Sequence, residues 1–178
     1  GCAVYCQDTL SEKIPKTKLE KVSLGIGTIV KKEFIDLYSY QGKGLFNSAN
    51  FSAQVLNIKD AESGLSLSGL LISTVSSGSL YSSGSSYTAY VDLDEIPGMV
   101  KFLDFMQTLP GQVEKNYVEH NYNCKDLKIF AYYTNRFNKK DKFDWYFGIK
   151  VDRYYSASSN SVEISGFKEL SQKIKEAF

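Results

Sequence analysis

The chain contains three cysteines and one histidine, and their spacing bears first on whether a metal or a nucleophile could be organised. Cys2 and Cys6 stand four residues apart, whereas Cys124 has only His120 near it, so no second pair completes a tetrahedral set. A zinc centre is not expected. His120, within Glu119-His-Asn121, lacks a neighbouring nucleophile motif, and no serine lies in a Gly-x-Ser-x-Gly elbow. Gly25-Ile-Gly27 neither follows a strand nor opens a helix as a phosphate cradle must, and no Gly-Lys-Ser or Gly-Lys-Thr occurs. Asp92, Asp94 and Glu95 are close enough to be weighed as an acid–base pair, but negative residues at a helix start are explained by capping and by the helix dipole. Neither catalysis nor a cofactor is expected.

Binding chemistry is better provided for. Flat rings beside cations suit stacked bases and phosphates, or the aromatic anchors of a protein contact. Strand alternation puts Phe130 and Tyr132 on one face of a strand and Tyr146 on the same face of the next, with Lys128, Lys150 and Arg153 nearby. Asp144 and Asp152 share that face, and 21 basic against 20 acidic residues leave a net charge of +1, so no general field draws a polyanion. Tyrosines on a sheet also have their own reason to be there, as strand formers packed across strands. The candidate binding surface is therefore Phe130, Tyr132, Tyr146, Lys128 and Lys150, with an unidentified protein or surface ligand as the expected partner and nucleic acid disfavoured.

The N-terminal Gly1-Cys-Ala-Val-Tyr-Cys-Gln-Asp8 resembles the tail of an export signal, with Val4 and Cys6 suiting the positions before a cleavage at Gln7. Alternatively Gly1-Cys2 resembles the end of a lipobox, which makes Cys2 a candidate for acylation; a third reading is a cytosolic protein with incidental cysteines at a frayed end. Export to a periplasmic, outer-surface or secreted location is the expectation, with membrane attachment only through a lipid on Cys2. No apolar run approaches the roughly 18 to 20 residues a spanning helix needs. Whether Cys6 and Cys124 approach each other stays open.

These residues need elements to position them. A length of 178 residues with 43% hydrophobic and 14% aromatic content suits one domain with a packed core. Residues 1–21 read as a leader or tether, with the fold starting near Val22 and running to Phe178 in two halves, 22–111 and 112–178. In the first half, strands are expected over 28–38, with an irregularity at Lys31-Lys32, and over 51–59, 65–75 and 87–94. The Ser-rich segment 76–86 reads as a surface loop, with a mobile flap as the alternative. A helix follows, capped by Asp94, with Ile96, Val100, Leu103 and Met106 as its apolar stripe and Leu109-Pro-Gly111 as its end. The second half repeats the scheme with strands over 113–122, 126–134, 143–151 and 161–164. Its helix is capped by Ser165 and carries Phe167, Leu170, Ile174 and Ala177 or Phe178 inward.

The expected fold class is α+β, with two antiparallel four-strand-plus-helix units sharing one core that includes Leu103, Val100, Trp145, Phe147, Leu170 and Ile174. With its strand-to-helix joins at Val91-Asp-Leu-Asp-Glu-Ile and Val162-Glu-Ile-Ser-Gly-Phe, this duplicated order resembles the Whirly and PUR class of single-stranded nucleic-acid-binding domains over about 22–178. The resemblance implies single-strand binding. The residues by themselves point to an exported, non-catalytic binding protein of a bacterial envelope.

Overall fold

The computed structural model describes residues 17–25, 27–41, 49–76, 85–135, 143–151, 158–161 and 163–178. A short helix α1 (Lys18–Ser23) precedes strands β1 (Val30–Gln41), β2 (Ala49–Asp60), β3 (Ser66–Ser76) and β4 (Ser85–Asp92). A single 3-10 turn (Leu93–Glu95) leads into α2 (Ile96–Met106), and β5 (Val118–Asn123), β6 (Leu127–Asn135), β7 (Phe143–Val151), β8 (Ser158–Ser161) and α3 (Ile164–Ala177) follow. The strands form two four-stranded antiparallel sheets, each in sequential order. The protein is thus α+β, four strands and a helix, twice.

One core joins the halves. Period-two alternation sends Phe51, Ala53, Val55, Leu70, Ile72, Ala89 and Val91 inward from the first sheet, and Ile129, Ala131, Tyr133, Trp145, Phe147, Ile149 and Val151 inward from the second. Both long helices add their stripes to the same cluster. In α2 the fully buried positions are Ile96, Met99, Leu103 and Met106, so Met99 takes the central place expected for Val100, which is half-buried at the core margin. In α3, Phe167, Leu170 and Ile174 are buried, but Ala177 and Phe178 are exposed because the helix runs beyond its last core contact at Ile174. Asp104 of α2 accepts from Ser171 Oγ at 2.7 Å and pairs with Lys175 at 2.7 Å, which fixes the helices against each other.

Helix α1 corrects the expected domain start. Residues 1–16 lie outside the described residues, but Thr17–Lys21 is no tether: Thr17 caps the helix by accepting from Glu20 N at 3.0 Å, and Leu19 is 1% exposed. Leu19 packs with Leu56 and Ile58 against the outward side of the first sheet, with Val22, Val30, Leu67, Leu71 and Tyr90 around them. Two apolar residues, Leu19 and Val22, in a six-residue charged stretch carry too little periodicity to announce a helix.

The join after β4 also differs from expectation. Asp92, not Asp94, is the extended residue before the 3-10 turn, and its carboxylate accepts from the amides of Lys18 at 3.0 Å and Leu19 at 2.9 Å and from Lys125 Nζ at 2.8 Å. Glu95 Oε2 accepts from Asp92 N at 3.1 Å, and Glu95 Oε1 from Lys125 N at 2.9 Å. Asp126 Oδ2 takes the amide of Tyr90 on edge strand β4 at 3.0 Å. The β5–β6 turn is thereby docked on the strand-to-helix join of the first half, which sets the second sheet in place. Tyr122 adds a bond to Glu95 O at 2.9 Å, and Gly98 makes room for it, since a Cβ there would lie 2.5 Å from the tyrosine oxygen.

Three boundaries move for local reasons. The irregularity in β1 is a register shift between Asp36 and Tyr38 and not at the paired lysines; it changes the strand's inward parity so that Tyr38 and Tyr40 reach Phe51. Strand β5 begins at Val118 and not at Val113, which is 84% exposed, and Trp145 Nε1 instead holds that approach by donating to Gln112 O at 3.0 Å. Helix α3 starts at Ile164 after the extended Glu163 (φ −65°, ψ 145°), so Ser165 lies in its first turn, not at its cap. The strand before it ends at Ser161.

Two outcomes follow. Leu103→Ala or Ile174→Ala is expected to cost about 2–5 kcal/mol, read from denaturant midpoints; unchanged midpoints for both would displace the core. For Asp92, burial opposes ionisation, but the bonds from Lys125, Leu19 and Lys18 outweigh it and hold the pKa below the ordinary 3.8. A depressed folded pKa contributes stability above the unfolded value that is lost as pH falls through the folded one. Asp92→Asn should therefore lower stability at neutral pH and flatten its fall below pH 3.8, while an acid limb identical to that of the parent would contradict this role.

Candidate binding surface

The second sheet turns one face to the core and the other outward. Along β6, Leu127, Ile129, Ala131 and Tyr133 are buried, so Lys128, Phe130, Tyr132 and Thr134 must point away; along β7, Trp145, Phe147, Ile149 and Val151 are buried, leaving Asp144, Tyr146 and Lys150 on the outward side. Register then builds rows across the face. Tyr132 stands opposite both Glu119 and Tyr146, Phe130 opposite Asn121 and Gly148, and Lys128 opposite Asn123 and Lys150.

The rings meet as a ladder. Phe130 and Tyr132 lie 5.8 Å apart and Tyr132 and Tyr146 5.3 Å apart, each pair inclined by 17°, and Tyr117 approaches Tyr132 at 6.4 Å. Offset stacking at such separations is favourable in its own right. Phe130, Tyr132 and Tyr146 are half-buried, with Tyr117 exposed at the end. Gly148 brings no side chain to the row of Phe130.

The charges on this face are largely spoken for. Lys128 Nζ pairs with Glu119 at 3.1 Å and lies 5.9 Å from the centre of the Phe130 ring, a cation–π contact at the end of the ladder. Tyr117 donates to the other Glu119 oxygen at 2.9 Å. Bonds from Asn121, Lys128 and Tyr117 hold the Glu119 carboxyl below its ordinary range, and the bond to Glu119 raises the Tyr117 phenol. With Lys150 and the exposed Asp144, the described surface is close to neutral and rich in rings.

The structure therefore brings Phe130, Tyr132, Tyr146, Lys128 and Lys150 onto one face. Arg153 and Asp152 lie outside the described residues. Tyr117 and Glu119 complete the surface and were missed, because the expected strand across 113–122 had no partner to fix its inward parity. Their alternation with Val118, His120 and Tyr122 was the available signal.

The other chemistry-bearing residues are held elsewhere. His120 stacks on Trp145 at 5.7 Å and meets the edge of Phe105 at 5.1 Å, so its ring serves packing. Cys124 carries a free thiol whose pKa is pushed to about 12 by burial and by Glu95, which leaves it protonated and unreactive at neutral pH. Cys2, Cys6 and residues 77–84 of the Ser-rich loop lie outside the described residues. Asp92, Asp94 and Glu95 do converge, but on Lys18, Lys125 and backbone amides, with Asp94 to Lys18 Nζ at 2.9 Å. No helix among the described residues is long and apolar enough to cross a membrane. No family model matches the chain, and a search of curated proteins finds no match.

Tyr132 is the shared member of the ladder, so a double-mutant cycle between Tyr132 and Tyr146 should return a coupling of about 0.5–1.5 kcal/mol. The cycle between Phe130 and Tyr146, which touch through Tyr132, should return close to none. Equal couplings in the two cycles would dissolve the ladder into general burial.

Proposed function

We propose that this protein is an exported, non-catalytic binding protein of a bacterial envelope, and that its contact surface is the outward face of the second sheet. The ring ladder carries this reading. A solvated sheet face ordinarily alternates polar residues against the core-facing ones, whereas Phe130, Tyr132, Tyr146 and Tyr117 set a contiguous aromatic strip there. Large, rigid rings bury much area at low entropic cost, which is why they anchor protein contacts. The partner is a protein or a surface ligand that meets a nearly neutral, aromatic plane. The Gly1–Asp8 segment supports the envelope location, with Cys2 as the candidate for acylation.

A second reading is single-strand binding in the manner of the Whirly and PUR class, which the twofold ββββα order favours. Charge weighs against it. Lys128 is neutralised by Glu119, and neighbouring rings occupy one another's faces, leaving little platform for a base.

The two readings part under salt and truncation. Replacing Phe130, Tyr132 and Tyr146 by Ala should lower retention of an envelope-fraction partner about tenfold or more, with little change between low and high salt. Single-stranded oligonucleotides should bind neither form. Tight oligonucleotide binding that weakens steeply with salt would favour the second reading, and partner retention indifferent to the rings would remove the first.

A further inference from the structure

Among the described residues strand β1 is an edge of the first sheet, paired on one side only, with β2. Such a strand offers unpaired amides and carbonyls to any second strand, and proteins usually blunt it by covering or charging it. Here residues 31–36 are exposed on both faces of the sheet. Phe34 is 51% exposed and Ile35 48%, one on each face, and Ile29 just before the strand is 70% exposed.

The charges along this stretch are arranged about one residue. Lys32 lies two positions before Phe34 and Asp36 two positions after it, all on the face outward from the core. Antiparallel pairing of two identical strands around Phe34 sets Phe34 against Phe34 and Lys32 against Asp36, twice by symmetry. Centring on Lys32 sets Lys32 against Lys32 at the axis, although Lys31 then meets Glu33; centring on Glu33 sets Glu33 against Glu33 and Lys32 against Phe34; and centring on Ile35 sets Phe34 against Asp36. The lysines that would discourage pairing with an arbitrary strand therefore favour one register of self-pairing. Lys31 and Lys32 make no ion pair among the described residues, and Asp36 is contacted through one oxygen only, by Gln54 Nε2 at 2.6 Å. The register shift between Asp36 and Tyr38 ends the regular stretch where Tyr38 and Tyr40 turn to the core, so the open segment is the self-complementary one.

We propose that β1 is a self-recognition strand through which two copies of this chain join across a twofold axis, Phe34 meeting Phe34, and continue the first sheet from one copy into the other. The aromatic face of the second sheet takes no part in this contact, so each half of the molecule has its own interface.

Sedimentation equilibrium of the full chain, under reducing conditions so that Cys2, Cys6 and Cys124 cannot cross-link, tests the proposal. A concentration-dependent dimer is expected. Lys32→Asp and Asp36→Lys should each weaken it about tenfold or more, since each reversal creates two repulsive pairs, and the double variant K32D/D36K should restore it. Circular dichroism keeps loss of folding separate, and amide exchange over 30–36 of the parent should slow as concentration rises. A monomer at every concentration, a dimer that both single reversals leave intact, a double variant as weak as the singles, or a dimer lost on Tyr132→Ala would each overturn the proposal.

Discussion

A carboxylate taken out of water must be surrounded by donors or it costs several kcal/mol, and Asp92 is where this molecule meets that demand. Its oxygens collect two amides from the first turn of α1 and the ammonium of Lys125 from the β5–β6 turn. Helix starts leave amides without partners, so Asp92 satisfies α1 as α1 satisfies Asp92. Glu95 extends the arrangement by holding the amides of Asp92 and Lys125. Three segments distant in sequence meet at one polar point beside an apolar core, and the second sheet takes its position from that meeting.

The two repeats then diverge in the outward face of their sheets. The first covers part of it with α1, whose Leu19 closes over Leu56 and Ile58. In the second the outward face carries rings packed on one another beside Lys128, Lys150 and Asp144. A sheet face needs either a second layer or residues content in water. The Phe130, Tyr132 and Tyr146 ladder meets neither condition fully, since it remains half-buried without a helix above it among the described residues, and that is the physical ground for reading it as a contact surface.

Alternation and helical spacing made most of the architecture legible. Strands over 51–59, 65–75, 126–134 and 143–151 fall within a residue or two of the observed ones, because each buries one face and period two is then strict. The buried positions Leu103, Trp145, Phe147, Leu170 and Ile174 could be read for the same reason. What escaped was settled by tertiary contact. Helix α1 is six residues long and is stabilised by a sheet and a distant Asp92, neither visible from its own sequence. Asp92 and Asp94 both offer a capping carboxylate, and it is Asp92, whose amide Glu95 holds from three residues on, that stands before the turn. Glu119 joined the surface through its register against Tyr132, and Tyr117 through its contacts with Tyr132 and Glu119, neither fixed by local sequence.

The central claim is that the outward face of the second sheet touches another macromolecule, a protein, in the envelope. A photo-reactive phenylalanine analogue placed at Phe130, with a control at the exposed Lys101 on α2, away from both outward sheet faces and from β1, tests it in the cells that make the protein. Light should yield protein adducts from position 130 and none from position 101. Nucleic-acid adducts at 130, or protein adducts from position 101 alone, would contradict it.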